Sequence, residues 1–291
     1  MHDVSRAAEF LARWNISFED LVRHVRPLEP QETLLLIGSI PKGLANALSD
    51  IDLVLIGDSG LDRGVVLREN EFEYGTRMLR GHEVHVESWR STDLERLALT
   101  IAGILSAVQT NAESNTCLVH PTRMQLCLLD RMRNGVPLGN TERANFWRNR
   151  VQLDRLPEYL TLYWLDVFQA LREDMLGQMR YGDPLSAQCH VRLAMTTLAG
   201  AVLASVGETD TYPKWRLRLL DRHRGIIGEE ILAGFLRYMF SGPIQKNSRL
   251  VGDILEFQDR CIDSILSRYP QLNTWWKMRV ESAFVADASF E

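Results

Sequence analysis

The spacing of hydrophobic residues divides the chain into two parts that meet near residue 90. In the first part, short apolar runs bounded by turn-forming residues predict strands at 33–37, 51–56, 71–79 and 83–89. Two amphipathic stretches before these runs predict helices over 3–13 and 17–25. The mixture of the two periodicities indicates a small domain of helices and strands at the start of the chain.

Beyond residue 90 almost every segment has helical spacing, and Gly and Pro residues mark the breaks. The longest uncharged apolar run, 193–206, is shorter than the roughly 20 residues of a membrane span, so we interpret it as a buried helix. The helices predicted from this spacing are 91–110, 121–134, 141–150, 157–180, 184–206, 213–224, 227–240, 248–268 and 273–285.

The expected fold class is therefore α+β, with two domains. A small mixed β-sheet domain with flanking helices is expected over residues 1–115. An all-α domain packed as a helical bundle is expected over residues 116–291.

One stretch of the first domain combines turn residues with acidic residues. Between two predicted strands lie Gly38 and Ser39, then ten further residues, then Asp50 and Asp52. Gly38 allows a sharp turn with amide groups close to an anion, and Ser39 adds a hydroxyl donor for a phosphate. Because Asp50 and Asp52 are two apart on a strand, their carboxylates face the same side. A divalent cation shared between them, Mg²⁺ above all, would relieve their repulsion.

This arrangement resembles the signature of the polymerase-beta-like nucleotidyltransferase superfamily, in which a strand, a Gly-Ser turn and a spacer precede an Asp-x-Asp strand. The resemblance covers residues 33–90, and the helical second part makes the chain similar to the antibiotic-type nucleotidyltransferases that modify small molecules. It implies that Gly38, Ser39 and Ser49 bind a nucleoside triphosphate, expected to be ATP. It also implies that Asp50 and Asp52 bind Mg²⁺ and carry the catalysis.

The superfamily supplies a third carboxylate from a later strand, and here the sequence departs from the usual pattern. The predicted strand 83–89 carries Glu83, His85 and Glu87 on one face. In relatives that modify small molecules, the acid often stands where this chain has His85. We predict Glu87 as the third metal ligand and catalytic residue. His85 is then a neighbour that positions a carboxylate, binds substrate or replaces a ligand.

The helical domain offers further candidates for nucleotide binding. Lys214, Arg218 and Arg222 share one helical face, and the segment 211–215 resembles the Lys-Trp element of the antibiotic-type enzymes. We predict that Lys214 assists in binding the nucleotide phosphates, with a solvated basic face as the alternative.

Proton transfer and stacking have candidates in the helices as well. The resemblance places a general base in the helical domain, and the acids that could serve are Glu173, Asp174 and Asp183. Four tryptophans could stack on a base or a sugar, but at helical spacing we favour core packing for them. They are Trp147, Trp164, Trp275 and Trp276.

The expected function is a Mg²⁺-dependent transfer of a nucleoside monophosphate, AMP from ATP, to a small-molecule acceptor by two-metal in-line attack at the α-phosphorus. Two alternatives stay open. The incomplete third-carboxylate strand motivates a nucleotide-binding or scaffolding protein of the same fold with weak or no turnover. The basic cluster 214–224 motivates a toxin-type nucleotidyltransferase that acts on tRNA or protein.

The net charge of the chain limits which kinds of partner it is expected to bind. The net charge is −5, and residues 1–90 hold all of this surplus because they contain 10 basic and 15 acidic residues. Such a chain is a poor general binder of nucleic acid, so a nucleic-acid partner is not expected. An acidic catalytic domain would also need bound divalent cations before it could accept a polyphosphate.

The N-terminal residues and the cysteines set the expected compartment. The first fifteen residues include acids and arginines and lack the apolar run of a secretory signal. The cysteines lie far apart and form no CxxC pair, so buried reduced thiols are expected at Cys117, Cys127, Cys189 and Cys261. We therefore expect a cytoplasmic protein without membrane association.

Overall fold

The computed structural model describes residues 4–61, 65–68, 72–110, 118–240 and 248–288. Within these ranges the chain forms a six-stranded mixed sheet, and helices cover most of the remaining residues. The expected α+β class is confirmed. None of the helices in the described ranges has both the length and the apolar composition that crossing a bilayer needs.

The sheet has the strand order β3-β4-β5-β2-β1-β6. Only one of its described neighbour pairs, β2 with β5, is parallel, and the others are antiparallel. The six strands are β1 (Thr33–Ile37), β2 (Ile51–Ile56), β3 (Val65–Arg68), β4 (Phe72–Leu79), β5 (His82–Trp89) and β6 (Val136–Gly139).

Two of these strands do not follow from local pattern. β3 is a four-residue edge strand, and β6 is an edge strand that contains Pro137, which faces Leu35 of β1. Proline is tolerated at a sheet edge because its missing N–H leaves no central ladder bond unmade. Gly135 caps the C-terminus of α4, but the interpretation of Gly and Pro residues as breaks between helices gives no indication of the strand that starts at Val136.

The first compact unit comprises Met1–Ala102 and Pro121–Asp154. Helix α2 begins with a capping box between Ser17 and Asp20, and α4 begins with one between Thr122 and Gln125. Apolar residues of α1 and α2 pack on the sheet to form its core. The helices that begin in this unit are α1 (Val4–Ala12), α2 (Phe18–Val25), α3 (Ser91–Gln109), α4 (Arg123–Asn134) and α5 (Thr141–Arg150).

The division between the units differs from the expected boundary at residue 115. Gly103–His120 belongs with the second unit, and Pro121–Asp154 belongs with the first. The physical reason is β6, which pairs with β1 and therefore ties α4 and α5 to the sheet. Cys117 lies outside the described residues.

The second compact unit comprises Gly103–His120 and Arg155–Glu291, and the regular secondary structure of its described residues is all helical. Single-turn 3-10 helices at Pro213–Trp215 and Pro270–Leu272 precede two of its helices. The predicted helix 213–224 is thus shorter and interrupted. The unit contains helices α6 (Leu156–Tyr181), α7 (Pro184–Ser205), α8 (Arg216–Arg222), α9 (Arg224–Ile227), α10 (Glu229–Met239), α11 (Ser248–Arg268) and α12 (Asn273–Ala288).

Helix α7 is the centre of the second unit. It packs along α6 and also contacts α8, α10 and α11. Every residue from 197 to 205 is buried, so the interpretation of the apolar run 193–206 as a buried helix is confirmed over that part, whereas Leu193 at its start is exposed. At Gly200 a Cβ atom would lie 3.1 Å from both Arg216 and Trp164, so close packing explains the glycine there.

Two of the three described cysteines and most of the tryptophans are core residues. Cys127 and Cys261 are buried as expected, whereas Cys189 is exposed on α7, and all three are free thiols. Burial raises the pKa of the Cys261 thiol to about 12, which keeps it protonated and inert. The tryptophans that the structure buries are Trp89, Trp147, Trp275 and Trp276.

Candidate active site

The turn after β1 lies directly against β2, which carries Asp52 and begins one residue after Asp50. Gly38 has φ +77°, a conformation that favours glycine, and a Cβ atom at this position would stand 2.2 Å from Oδ2 of Asp52. The antiparallel register explains the contact, because Ile37 is paired with Asp52 and Gly38 follows it. Two parts of the predicted motif, the Gly-Ser turn and the Asp-x-Asp strand, are therefore in contact.

The parallel pairing of β2 with β5 brings a histidine to the same place. Asp52 is paired with His85, so their side chains project from the same face of the sheet. His85 Nδ1 lies 3.4 Å from Asp52 Oδ1, and His85 Nε2 lies 3.3 Å from Glu83 Oε1. The imidazole therefore bridges two carboxylates on the face that the sequence predicted to be polar.

These carboxylates change the protonation of the imidazole. The hydrogen bond to Asp52 raises the pKa of His85 to about 9; partial burial opposes the rise, and Glu83 and the nearby charge of Asp50 support it. At neutral pH His85 therefore carries a positive charge.

Glu87 lies further along β5 and has other partners. It is paired with Val54, two residues beyond the level of Asp52, which is about 7 Å along a strand. Its side chain is only 9% exposed; it forms an ion pair with Arg131 of α4 and accepts a hydrogen bond from Trp89 Nε1 at 3.3 Å. To serve as the predicted third ligand, Glu87 would have to exchange Arg131 for the cation.

The two predicted serines have structural contacts in the loop between β1 and β2. The carbonyl of Ser39 accepts hydrogen bonds from Leu44 N and Ala45 N, and the Ser49 hydroxyl accepts one from Asn46 N at 2.9 Å. Ser49 therefore closes the last turn of the loop. Its predicted contact with a nucleotide stays a prediction.

The predicted phosphate ligand Lys214 is exposed in the second unit, beside two aromatic rings. Its ammonium lies 5.3 Å from the centre of the Trp215 ring and 5.7 Å from that of Tyr212. The Arg218 guanidinium also lies over the Trp215 ring, 5.7 Å from its centre. The role of Lys214 in phosphate binding stays a prediction.

The candidate general bases have partners of their own within the second unit. Glu173 accepts hydrogen bonds from Arg279 Nη1 at 3.0 Å and from Gln169 Nε2 at 3.1 Å. Asp183 caps the N-terminus of α7 through its contacts with the amides of Leu185 and Ser186, and this bonding lowers the pKa of Asp183. These contacts give Glu173 and Asp183 structural roles, and Asp174 Oδ2 lies 3.7 Å from His190 Nε2.

Three residues of this face were not singled out by the sequence analysis. Thr76 and Tyr74 of β4 are paired with His85 and Glu87, and the Tyr74 ring centre lies 5.6 Å from that of His85. The alternation of side chains along the predicted strand 71–79 could have placed Thr76 and Tyr74 on one face of the sheet. Arg131, the third, gives no local signal because it comes from a helix 44 residues after Glu87.

The side chains present at this site determine which kind of metal coordination it could provide. Among the described residues, no group of three or more His, Cys, Asp or Glu side chains is placed to hold a metal ion. Asp50 is exposed and the Asp52 side chain is 32% exposed, so two carboxylates are accessible. Mg²⁺ is commonly held by one or two carboxylates together with substrate phosphates and water. The residues fit an ion bound in that way at Asp50 and Asp52.

Comparisons with known proteins show only a distant likeness. No protein-family model matches the sequence, and no curated protein matches it either. Among solved structures, a nucleotidyltransferase-like protein from Exiguobacterium sibiricum is similar, with 11% identity and a TM-score of 0.39. The match covers 87% of this chain and 71% of that one. A likeness this distant assigns no activity, so function has to be inferred from the residues of the site.

Proposed function

We propose that this protein is a nucleotidyltransferase that moves a nucleoside monophosphate from a nucleoside triphosphate to a hydroxyl group of a small acceptor. The observation that carries the proposal is the contact of Gly38 with the Asp52 carboxylate. It puts a turn suited to phosphates beside a strand suited to a divalent cation, as the resemblance to the nucleotidyltransferase superfamily implies. ATP is the proposed donor, with AMP as the group transferred.

Each residue of the proposed site has a separate task. Asp50 and Asp52 would hold Mg²⁺, which when bound neutralises the charge of the triphosphate and activates the acceptor. The turn at Gly38 and Ser39 would hold the β- and γ-phosphates. His85 fixes the orientation of the Asp52 carboxylate through the contact with Oδ1.

The proposed reaction is a displacement at the α-phosphorus. The acceptor oxygen forms a bond to that phosphorus while the bond from the phosphorus to the bridging oxygen breaks, and pyrophosphate leaves with the bonding electrons. The hydroxyl proton passes to a base or to water. The protein contributes mainly by holding the reacting groups in line.

Incubation with α-labelled ATP, Mg²⁺ and a panel of aminoglycoside and lincosamide acceptors tests the proposal. We expect a labelled acceptor and released pyrophosphate from the wild type, and neither from Asp50→Ala or Asp52→Ala. Glu9→Ala, which removes an exposed acid from α1, is the matched control and should react like the wild type. Equal product from the wild type and both aspartate variants would exclude the proposed site.

A second candidate function is nucleotide binding without turnover. It is favoured by His85, which stands beside Asp52 where a third carboxylate would complete the site, and by the ion pair that engages Glu87. Calorimetry with a nonhydrolysable ATP analogue separates the two candidates. Binding that needs Mg²⁺ supports the transferase, and binding that is indifferent to Mg²⁺ supports the alternative.

A further inference from the structure

The loop between β1 and β2 is attached to helix α4 by a buried ion pair. Lys42 Nζ lies 2.5 Å from Asp130 Oδ2, and the two side chains are 10% and 1% exposed. The other carboxylate oxygen of Asp130 accepts a hydrogen bond from Asn134 Nδ2 at 2.7 Å. Lys42 lies four residues after Gly38, in the loop proposed to bind phosphate, and would ordinarily be a candidate phosphate ligand. Here its ammonium is instead paired with Asp130 of α4.

The loop that Lys42 anchors is compact. Leu44 N and Ala45 N donate to the Ser39 carbonyl at 2.9 and 3.2 Å, so the chain folds back on the turn itself. Ile40 and Leu44 are buried, at 2% and 1% exposed. Lys42 stands between these two apolar anchors, and its bond to Asp130 adds a directional contact to them.

Helix α4 also contacts β5, which lies on the opposite side of β2 from β1. Arg131, the residue after Asp130, forms the ion pair with Glu87 of β5. In the sheet, β1 and β5 are the two neighbours of β2, which carries Asp52. Consecutive residues of α4 therefore bind the loop that follows β1 and the strand on the opposite side of β2.

From this geometry we propose that Asp130 is a positioning residue for the reaction. Through Lys42 it sets the conformation of the loop and thereby holds Gly38 and Ser39 against Asp52. This inference rests on the proposed function. A buried ion pair adds little net stability compared with apolar side chains of similar size, but it is directional, and displacements of about 1 Å in a catalytic site can lower rates roughly 100-fold.

Replacing the pair by apolar side chains tests this role. Asp130→Asn alone leaves a buried lysine charge uncompensated and risks unfolding, so the main variant is the double change Lys42→Met with Asp130→Leu. We expect it to melt close to the wild type, because apolar replacements of buried ion pairs are commonly tolerated. We also expect faster hydrogen exchange at the amides of Leu44 and Ala45, and a roughly 10- to 100-fold lower kcat/KM for the triphosphate.

The control removes a buried ion pair of the same kind elsewhere in the first unit. Arg26 and Glu32 form two bonds of 2.6 and 2.7 Å, and Arg26→Met with Glu32→Leu should leave loop exchange and kcat/KM at wild-type values. Lys42→Arg, which keeps the charge pair, should retain most of the activity. A stable Lys42→Met, Asp130→Leu variant with wild-type exchange and kinetics would overturn the inference.

The two proposals fail in distinguishable ways. If the wild type neither binds nor turns over ATP, the proposed function fails, while hydrogen exchange still reports whether Asp130 and Lys42 hold the loop. If the wild type is active and the double variant is equally active, only the positioning role of Asp130 fails.

Discussion

Gly38 and His85 show how single residues determine this site. At Gly38 the absence of a Cβ atom lets the backbone approach the Asp52 carboxylate more closely than any other residue would allow. At His85 a ring between Asp52 and Glu83 compensates part of their charge. Both contacts depend on Asp52, so this carboxylate has a packing partner in the turn after β1 and an electrostatic partner on β5.

Gly38→Ala should disable the site as well as strain the turn. An alanine at φ +77° costs about 1–2 kcal/mol, and its methyl group would also displace the Asp52 carboxylate. Urea unfolding measures the first effect and triphosphate binding the second. Gly81→Ala is the matched control, because Gly81 has φ +85° but no described atom lies within 4 Å of the added carbon.

We expect the two alanine variants to lose similar stability from the backbone, with the larger total loss in Gly38→Ala. Only Gly38→Ala should lose triphosphate binding. Undiminished binding by Gly38→Ala would show that the turn does not need to approach Asp52.

Asp52→Asn should lower the pKa of His85 from about 9 towards the ordinary value of 6.5, because the hydrogen bond to Asp52 is the main cause of the rise. NMR titration of the imidazole in metal-free buffer measures this shift. The stability that this pairing provides is fully present below pH 6.5 and is lost as the pH rises through about 9. Glu83→Gln should produce a smaller decrease, and an unchanged pKa in Asp52→Asn would contradict the observed contact.

At the scale of elements, local pattern predicts the strands that carry the motif but not the contacts between elements. β1 and β2 are apolar runs with turn residues at both ends, and both have the predicted bounds. β6 could not be predicted in this way, because Pro137 argues against a strand until the pairing with β1 is known. Arg131 illustrates the same limit, since only the fold brings α4 to Glu87.

Glu87→Gln should affect the stability of the first unit more than its binding of ATP. The change leaves Arg131 without its buried counter-charge, for a loss of about 3–5 kcal/mol in the free energy of unfolding. Chemical denaturation measures this loss, and calorimetry with Mg²⁺ and a nonhydrolysable ATP analogue measures affinity. Affinity should stay near that of the wild type. A loss of affinity equal to that of Asp52→Ala would instead identify Glu87 as the third ligand.

At the scale of the whole molecule, negative charge is unevenly distributed along the chain, and single acids have specific partners. The surplus of negative charge belongs to residues 1–90, which include Asp50 and Asp52. In the second unit the Asp166 carboxylate of α6 has two cationic or polar partners, Arg279 Nε at 2.8 Å and His120 Nε2 at 3.2 Å. Protonation of Asp166 at low pH would therefore weaken specific contacts within the second unit.

Asp166→Asn should weaken the dependence of stability on acid pH. Burial alone would raise the pKa of Asp166, but the bonds to His120 and Arg279 outweigh it and hold the pKa below its ordinary value of 3.8. The stability from this carboxylate is present above pH 3.8 and is lost as the pH falls through the lower folded value. Thermal melts across this range should show a flatter profile for Asp166→Asn, and an equally steep profile would contradict the assignment.

The most direct test of the proposed site is a crystal structure with a nonhydrolysable ATP analogue and Mn²⁺ in place of Mg²⁺. The anomalous signal of manganese locates the cation independently of the other density. We predict an anomalous peak between the carboxylates of Asp50 and Asp52, with the β- and γ-phosphates against Gly38 and Ser39. A triphosphate bound elsewhere, or one bound here without a manganese peak at the two aspartates, would contradict the account.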